Sequence, residues 1–190
     1  IADLLELGHD VVKEVEALAQ ELGGPSPLQQ WDFSYYSEKL KEKRYAFDDE
    51  SLRPYFKLEN VLAGVFEHAR RLFGLKFAES REYPVYHDDV KVFEVYKDTP
   101  TGEFVGLFYT DFFPRATKSQ GAWMTNYYEQ GVFRDQRIRP HVSIVCNFTK
   151  PTATQPSLLS FDEVSTLFHE FGHGLHSLLS KVEFRSLAGT

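Results

Sequence analysis

Two histidines and a glutamate lie at a spacing that suits metal chemistry: His169, Glu170 and His173. Residues four positions apart lie on one face of an α-helix, because 3.6 residues complete a turn. Both imidazoles could therefore bind a single Zn²⁺ at about 2.0–2.1 Å. Glu170 would lie beside the zinc-bound water and could act as its general base. The pattern predicts a metallopeptidase site with His169 and His173 as ligands of one zinc ion and Glu170 as the catalytic residue.

The residues around this motif predict the helix that its chemistry requires. Ser160 is the expected N-cap, with Glu163 three positions later as its capping-box partner. The competing interpretation, two solvent-facing histidines on an ordinary surface helix, is less favoured because the motif falls within a helical pattern. Apolar residues recur there every three or four positions, as in an amphipathic helix: Val164, Leu167, Phe168, Phe171, Leu175, Leu178 and Leu179.

A third protein ligand is not evident in the sequence. One known pattern places a histidine six residues after the second ligand, where this chain has Leu179; a glutamate from a following helix is another common solution. Glu183 is the only acid after His173, close to the predicted end of the same helix. His176 shares the metal-facing side, but it lies about 10.5 Å of helical rise from His169. We expect it to support the ligands or face the substrate rather than bind the ion.

Several longer segments resemble the thimet oligopeptidase family of zinc metallopeptidases, most closely its oligopeptidase A and peptidyl-dipeptidase branch. The resemblance covers essentially the whole chain from about Gln30 onward, and together the segments are far more specific than the pentapeptide alone. They are CNFTKP at 146–151, PSLLSFDEV at 156–164, HEFGHGLH at 169–176, QWD at 30–32, YFKLENV at 55–61, YTDFFPR at 109–115 and GAWM at 121–124.

The resemblance implies a zincin-like catalytic region, zinc as cofactor and short peptides as substrates. It also implies a third zinc ligand, a glutamate about 25 residues after His173 on the next helix. That position lies near 198, so we expect the remainder of the same polypeptide beyond Thr190 to complete the site, and the 190-residue chain alone to be inactive. The expected organisation is one partial catalytic domain over 1–190: residues 1–22 form a helix from a preceding helical part, and 30–190 begin the catalytic region.

Composition excludes several other classes of protein. The net charge of −7 argues against nucleic acid or an anionic membrane surface as partner. The sequence contains no run of eighteen apolar residues, and its first residues do not have the pattern expected of a secretory leader. The single cysteine, Cys146, rules out an internal disulfide and favours a reducing compartment, with the cytoplasm as the predicted location. Its apolar setting predicts inert burial rather than a nucleophile.

The predicted fold class is α+β and mainly helical, with a small β-sheet beside the metal-binding helix. The third predicted strand, at 142–148, is either an exposed edge that pairs with an extended peptide or a strand buried within the sheet. Two apolar sets are expected to face the core: Tyr35, Tyr36 and Leu40, and the last residues of the third helix, Leu72 and Phe73. The predicted helices are 2–22, 34–44 and 58–73, and the other strands are 90–96 and 103–109, joined by a turn at 98–102.

The function these observations favour is zinc-dependent hydrolysis of peptide bonds in short peptides. The sequence leaves open whether such an enzyme cleaves internally or removes C-terminal dipeptides. Two other classes remain: a catalytically incomplete metal-binding fragment, and a structural helical domain whose histidines are incidental. Zinc content and the effect of Glu170→Gln would distinguish the three.

Overall fold

A computed structural model describes residues 2–45 and 49–189, and it contains helices and a mixed β-sheet, as an α+β fold requires. The chain divides into two compact units, Ile1–Ser51 and Leu52–Thr190. The assignment of residues 1–190 to one partial catalytic domain stays a prediction. Among the described residues, the helices are all too short or too polar to cross a lipid bilayer.

The first unit contains two helices, α1 (Ala2–Glu21) and α2 (Phe33–Tyr45). Both were expected from the sequence. α1 turns an apolar side inward through Val15, Leu18 and Ala19, which are at most 5% exposed. Their three- and four-residue spacing is that of one helical face.

The prediction that α2 supplies core anchors is wrong. All of Phe33–Tyr45 is described, and none of its side chains is fully buried; the Tyr35 side chain is 60% exposed. Ion pairs with α1 account for part of the contact instead, since Lys43 Nζ lies 2.6 Å from a Glu21 carboxylate oxygen. The spacing of these residues therefore predicts a helix correctly, but it does not show whether their side chains are buried in a core.

The second unit consists of a sheet, two packed helices and short connecting elements. Its helices are α3 (Leu58–Phe73) and α4 (Phe161–Leu179), with short 3₁₀ turns at Asp49–Tyr55, where the two units meet along the chain, and at Arg185–Leu187. The strands are β1 (Leu75–Ser80), β2 (Lys91–Lys97), β3 (Phe104–Asp111), β4 (Trp123–Tyr128), β5 (Gly131–Phe133), β6 (Gln136–Ile138) and β7 (His141–Val145).

Five of the strands form one sheet in the order β1-β2-β3-β7-β4, and β5 pairs with β6 in a separate hairpin. The predicted antiparallel pairing of β2 with β3 is confirmed. β7 runs parallel to β3 and antiparallel to β4. β7 is therefore an inner strand: the buried alternative is confirmed, the exposed-edge alternative is wrong, and β4 is the terminal strand on this side.

Helix α3 occupies the predicted residues and ends at Gly74, whose φ of 61° is the left-handed conformation that favours glycine at a helix C-terminus. Its face of Val61, Val65 and Ala69 is buried. The expectation that Leu72 and Phe73 face the core is wrong, since they are 72% and 44% exposed. Both residues lie in the last turn of α3. The apolar spacing continues there, but no other part of the described chain buries these two side chains.

Helices α3 and α4 share one hydrophobic core with the sheet. An aromatic cluster lies at its centre, and we define it as Phe66 from α3, Phe77 from β1, Phe108 from β3 and Phe171 from α4. The Phe66 and Phe77 rings stack at 4.2 Å between centroids, and the Phe108 and Phe171 rings meet edge to face at 5.5 Å. Such pairs add to the burial of the rings themselves, so the cluster fixes how α4 lies on the sheet.

Candidate metal centre

The start of α4 is fixed by the predicted capping box. The Glu163 backbone N–H donates to Ser160 Oγ at 3.1 Å, and the Ser160 N–H donates to a Glu163 carboxylate oxygen at 2.8 Å. Two amides that have no partner within the helix are thereby satisfied. The cap sets the first residue of the helix and with it the direction of every side chain that follows.

The apolar face of α4 determines where the histidines point. Leu167, Phe171, Gly174 and Leu178 are buried against the sheet, and each helical residue is rotated about 100° from the one before. The motif occupies one flank and the outer side of the helix: His169 is exposed, and Glu170 and His173 are half-buried. The core packing of α4 therefore presents the three predicted residues outward together.

The two histidines approach each other at a distance that suits one ion. His169 Nε2 and His173 Nε2 are 3.1 Å apart. Two nitrogen ligands about 2.0–2.1 Å from one tetrahedral Zn²⁺ lie about 3.3–3.4 Å apart, so a few tenths of an ångström separate the observed and ideal geometries. The residues fit two positions of a zinc site. A hydrogen bond between one neutral imidazole and the other accounts for the same distance.

The structure brings no third ligand to this pair within its described part. Across residues 2–45 and 49–189, no group of three or more histidine, cysteine, aspartate or glutamate side chains is arranged to hold a metal ion. His176 is exposed on α4, as His169 is, and its role outside the coordination sphere stays a prediction. Glu183 is also exposed.

A shallow depression opens beside the histidines. We call it the site depression; it is lined by Ala122, Ser165, Thr166, His169 and Glu170. The side chain of Glu170 makes no hydrogen bond or ion pair with other described residues, although many carboxylates in this chain do. Glu170 is thus available to a group that enters the depression.

Strand β4 forms the other side of this region. Sequence reasoning treated Ala122-Trp123-Met124 as a segment of unassigned role and missed that Trp123–Tyr128 is a strand. The available signal was composition, because WMTNYY is rich in aromatic and β-branched residues and follows a glycine. In the structure β4 contacts α4 and pairs with β7 through Trp123 opposite Val145 and Met124 opposite Ile144.

The loop that leads into β4 is anchored by a buried carboxylate. Asp111 is 1% exposed and accepts hydrogen bonds from both terminal nitrogens of Arg115 at 2.8 Å, from Lys118 Nζ at 3.0 Å and from Tyr86 Oη at 2.9 Å. Burial by itself would raise the pKa of Asp111, but the bonds from Arg115, Lys118 and Tyr86 lower it below its ordinary value. This network holds the loop at the edge of the site.

Comparison with known proteins agrees with the geometry. The sequence model described as peptidase family M3 matches residues 1–190. The chain belongs to peptidase family M3. The resemblance to the oligopeptidase A and peptidyl-dipeptidase branch, expected from the sequence motifs, is confirmed.

Individual relatives carry peptidase names. Dipeptidyl carboxypeptidase of Escherichia coli (strain K12) is 42% identical over 182 residues, which is 95% of this chain and 26% of the relative. Oligopeptidase A of the same organism is 39% identical over 183 residues, 96% of this chain and 27% of the relative. Probable cytosolic oligopeptidase A of Arabidopsis thaliana is 36% identical over 186 residues, 94% of this chain and 26% of the relative. This family M3 chain thus spans about a quarter of the length of these relatives.

Proposed function

We propose that this chain supplies part of the active site of a zinc-dependent peptidase that hydrolyses peptide bonds in short peptides. The observation that carries the proposal is the 3.1 Å separation of His169 Nε2 and His173 Nε2 on one face of α4, with Glu170 between them and free of partners within the described residues. Membership of family M3 and the names of the relatives support the same reaction.

His169 and His173 would hold the ion through their Nε2 atoms. When bound, Zn²⁺ lowers the pKa of a coordinated water to about 7 and polarises the carbonyl of the substrate. We assign the third protein ligand to a carboxylate in the polypeptide that follows Thr190, as the family resemblance implies. The zincin-like arrangement of sheet and helix and a cytoplasmic location are parts of the same proposal.

Glu170 is the general base and then the general acid. Its carboxylate lies next to His169 and lines the site depression. It takes a proton from the attacking water and later gives that proton to the leaving amine. A carboxylate without another partner is suited to this exchange, because no hydrogen bond within the protein has to break first.

Strand β4 provides an edge for the substrate. β4 is the last strand of the five-stranded sheet, and it pairs with β7 on its inner side. An extended peptide can add to such an edge through backbone hydrogen bonds. This arrangement suits unfolded, short peptides, because a folded protein does not present an extended segment to the strand.

The proposal is tested in the full-length polypeptide with Glu170→Gln. We expect turnover of short peptides to fall by about 10²- to 10⁴-fold, the usual effect of losing a general acid–base group, while one zinc per chain is retained. Asp162→Asn, which removes a carboxylate from the same helix outside the site depression, is the matched control and should leave turnover unchanged. Unimpaired turnover in Glu170→Gln, or wild-type protein that contains no zinc, would refute the proposal.

A further inference from the structure

A second cleft adjoins the site depression at the N-terminal end of α4. We call it the side cleft. Its volume is about 380 Å³, and its walls include Gln120, Cys146, Asn147 and Glu163. It shares Ala122 and Thr166 with the site depression, so the two form one continuous surface that reaches from Glu170 to the first turn of the helix.

Glu163 is the only charged side chain that lines the side cleft in the described part of the chain. Its capping bond from the Ser160 N–H satisfies one carboxylate oxygen and leaves the negative charge in place. No lysine or arginine among the described residues forms an ion pair with it. The N-terminus of α4 and the capping bond stabilise part of this charge, and a cation that enters the cleft can pair with the carboxylate, because no described lysine or arginine already does so.

The nearby cations are already occupied. Lys118 Nζ, in the loop behind the cleft, lies 3.0 Å from Asp111 Oδ1, and its side chain is 2% exposed. Lys150 Nζ lies 2.6 Å from an Asp89 carboxylate oxygen. Lys118 shares the Asp111 carboxylate with Arg115, and neither lysine lines the side cleft, so neither can contact a group that enters it.

The other polar groups of the cleft add no positive charge. Asn147 uses its amide N–H groups on the backbone carbonyls of Ser119 at 2.9 Å and Gly121 at 2.8 Å. Burial, and after it the carboxylate of Glu170, raises the pKa of the Cys146 thiol to about 12, so this side chain is an uncharged part of the wall at neutral pH. Among the described residues, Glu163 is therefore the only charged group on the walls of a cleft that is open to the candidate active site.

We propose that the side cleft is a specificity subsite for a cationic group of the peptide substrate, an ammonium or guanidinium, with Glu163 as its counter-charge. This inference rests on the proposed peptidase function and adds to it a class of preferred substrate. The cation can come from a lysine or arginine side chain or from the N-terminal amine of the peptide. Both chemistries pair with a carboxylate through charge-assisted hydrogen bonds.

The test uses the full-length polypeptide and two matched peptide sets. In the first, lysine or its uncharged analogue norleucine is moved along an otherwise alanine-rich peptide; in the second, the N-terminus is free or acetylated. We expect kcat/KM to favour the cationic peptide by about 2- to 5-fold at one position, the size expected of a partly exposed ion pair. A preference confined to the second set would assign the subsite to the N-terminal amine.

Glu163→Gln is the decisive variant because glutamine can also serve as the capping-box partner. It removes the charge while the start of the helix is kept. We expect the ratio of kcat/KM for the lysine peptide to that for the norleucine peptide to fall to about one. Asp162→Asn removes the same charge from the same helical turn outside the cleft, and it should retain the preference.

The outcomes separate this inference from the function on which it rests. If no peptide is cleaved by the wild-type protein, the proposed function fails. If peptides are cleaved but Glu163→Gln lowers the rates for lysine and norleucine peptides equally, or leaves the lysine preference intact, the subsite is refuted. If Glu163→Gln does not fold, Gln120→Lys gives a second test, since a cation on the exposed wall of the cleft should abolish the same preference.

Discussion

Helices α3 and α4 bury similar faces and expose very different ones. On the outer face of α3, Glu67 accepts hydrogen bonds from Arg70 Nε at 2.7 Å and Arg71 Nε at 2.6 Å. On α4, within the described residues, Glu170 has no such partner, and His169 and His173 contact each other. The helices also touch, with 6.2 Å between the ring centroids of Phe66 and Phe171.

This difference separates a stabilising surface from a chemical one. Pairs three and four residues apart give a helix modest support and use up the charges that form them. On the outer face of α3, Glu67, Arg70 and Arg71 use their charges on one another in this way. On α4, the imidazoles of His169 and His173 and the carboxylate of Glu170 form no ion pair within the described residues and can bind an external group. Both helices nevertheless bury an apolar face in the same core.

The largest expected effect comes from His173→Ala. Loss of a group that only supports a ligand lowers metal affinity by up to about 100-fold. Removal of a ligand itself should therefore lower zinc affinity by at least that factor. Zinc per chain, measured by atomic absorption after dialysis of the full-length polypeptide, checks this. His9→Ala, which removes an exposed imidazole from α1, is the matched control and should retain the metal; equal zinc content in His173→Ala and wild type would remove the distinction between the two helices.

The next effect concerns how the helices begin. Ser160→Ala removes the N-cap of α4 and should cost about 1 kcal/mol of local stability. In contrast, Lys57 at the N-cap of α3 makes no side-chain capping bond, so Lys57→Ala should cost much less. Amide hydrogen exchange of the Glu163 N–H should quicken about 5-fold in Ser160→Ala. Equal changes in the first turns of both helices would contradict the assigned caps.

The smallest expected effect is that of Glu67→Gln on α3. Hydrogen bonds from Arg70 and Arg71 lower the pKa of Glu67 to about 2. A depressed folded-state pKa gives stability that is present above the ordinary value of 4.5 and is lost as the pH falls towards 2. Because Glu67 is solvent-exposed, we expect Glu67→Gln to lower the melting temperature only slightly above about pH 4.5, with the difference from wild type disappearing as the pH falls towards 2 and with zinc content unaffected. NMR titration of the Glu67 carboxyl carbon measures the pKa directly.

Local signals in the sequence were sufficient for the elements that carry the site. The apolar period and the Ser160–Glu163 pair predicted α4 and its start, and α3 was predicted at its observed bounds. The turn at 98–102 predicted the antiparallel pairing of β2 with β3. In each case a few neighbouring residues determine the conformation, so a single sequence reveals it.

The remaining elements depend on residues distant in the chain. β1 and β4 are strands because of their partners, and β7 is an inner strand because β4 lies outside it. The apolar period of α3 identified its buried side. It did not show that the last turn, with Leu72, extends beyond the residues that bury the rest of that side. The His169–His173 geometry followed from the helix alone, whereas the side cleft needed the loop before β4, the segment after β7 and the start of α4 to meet.

The aromatic cluster beneath α4 has a thermal consequence. Phe171 lies between His169 and His173 in sequence and contacts the rings of Phe66, Phe77 and Phe108. The helix cannot roll about its axis without displacing these rings, so the two imidazoles keep their direction relative to the sheet only while the cluster is intact. If the proposed zinc site is loaded, heating should release the ion when the aromatic cluster melts and not earlier, when the helix ends fray. Zinc release would then report the temperature at which the interior of this unit loses its packing.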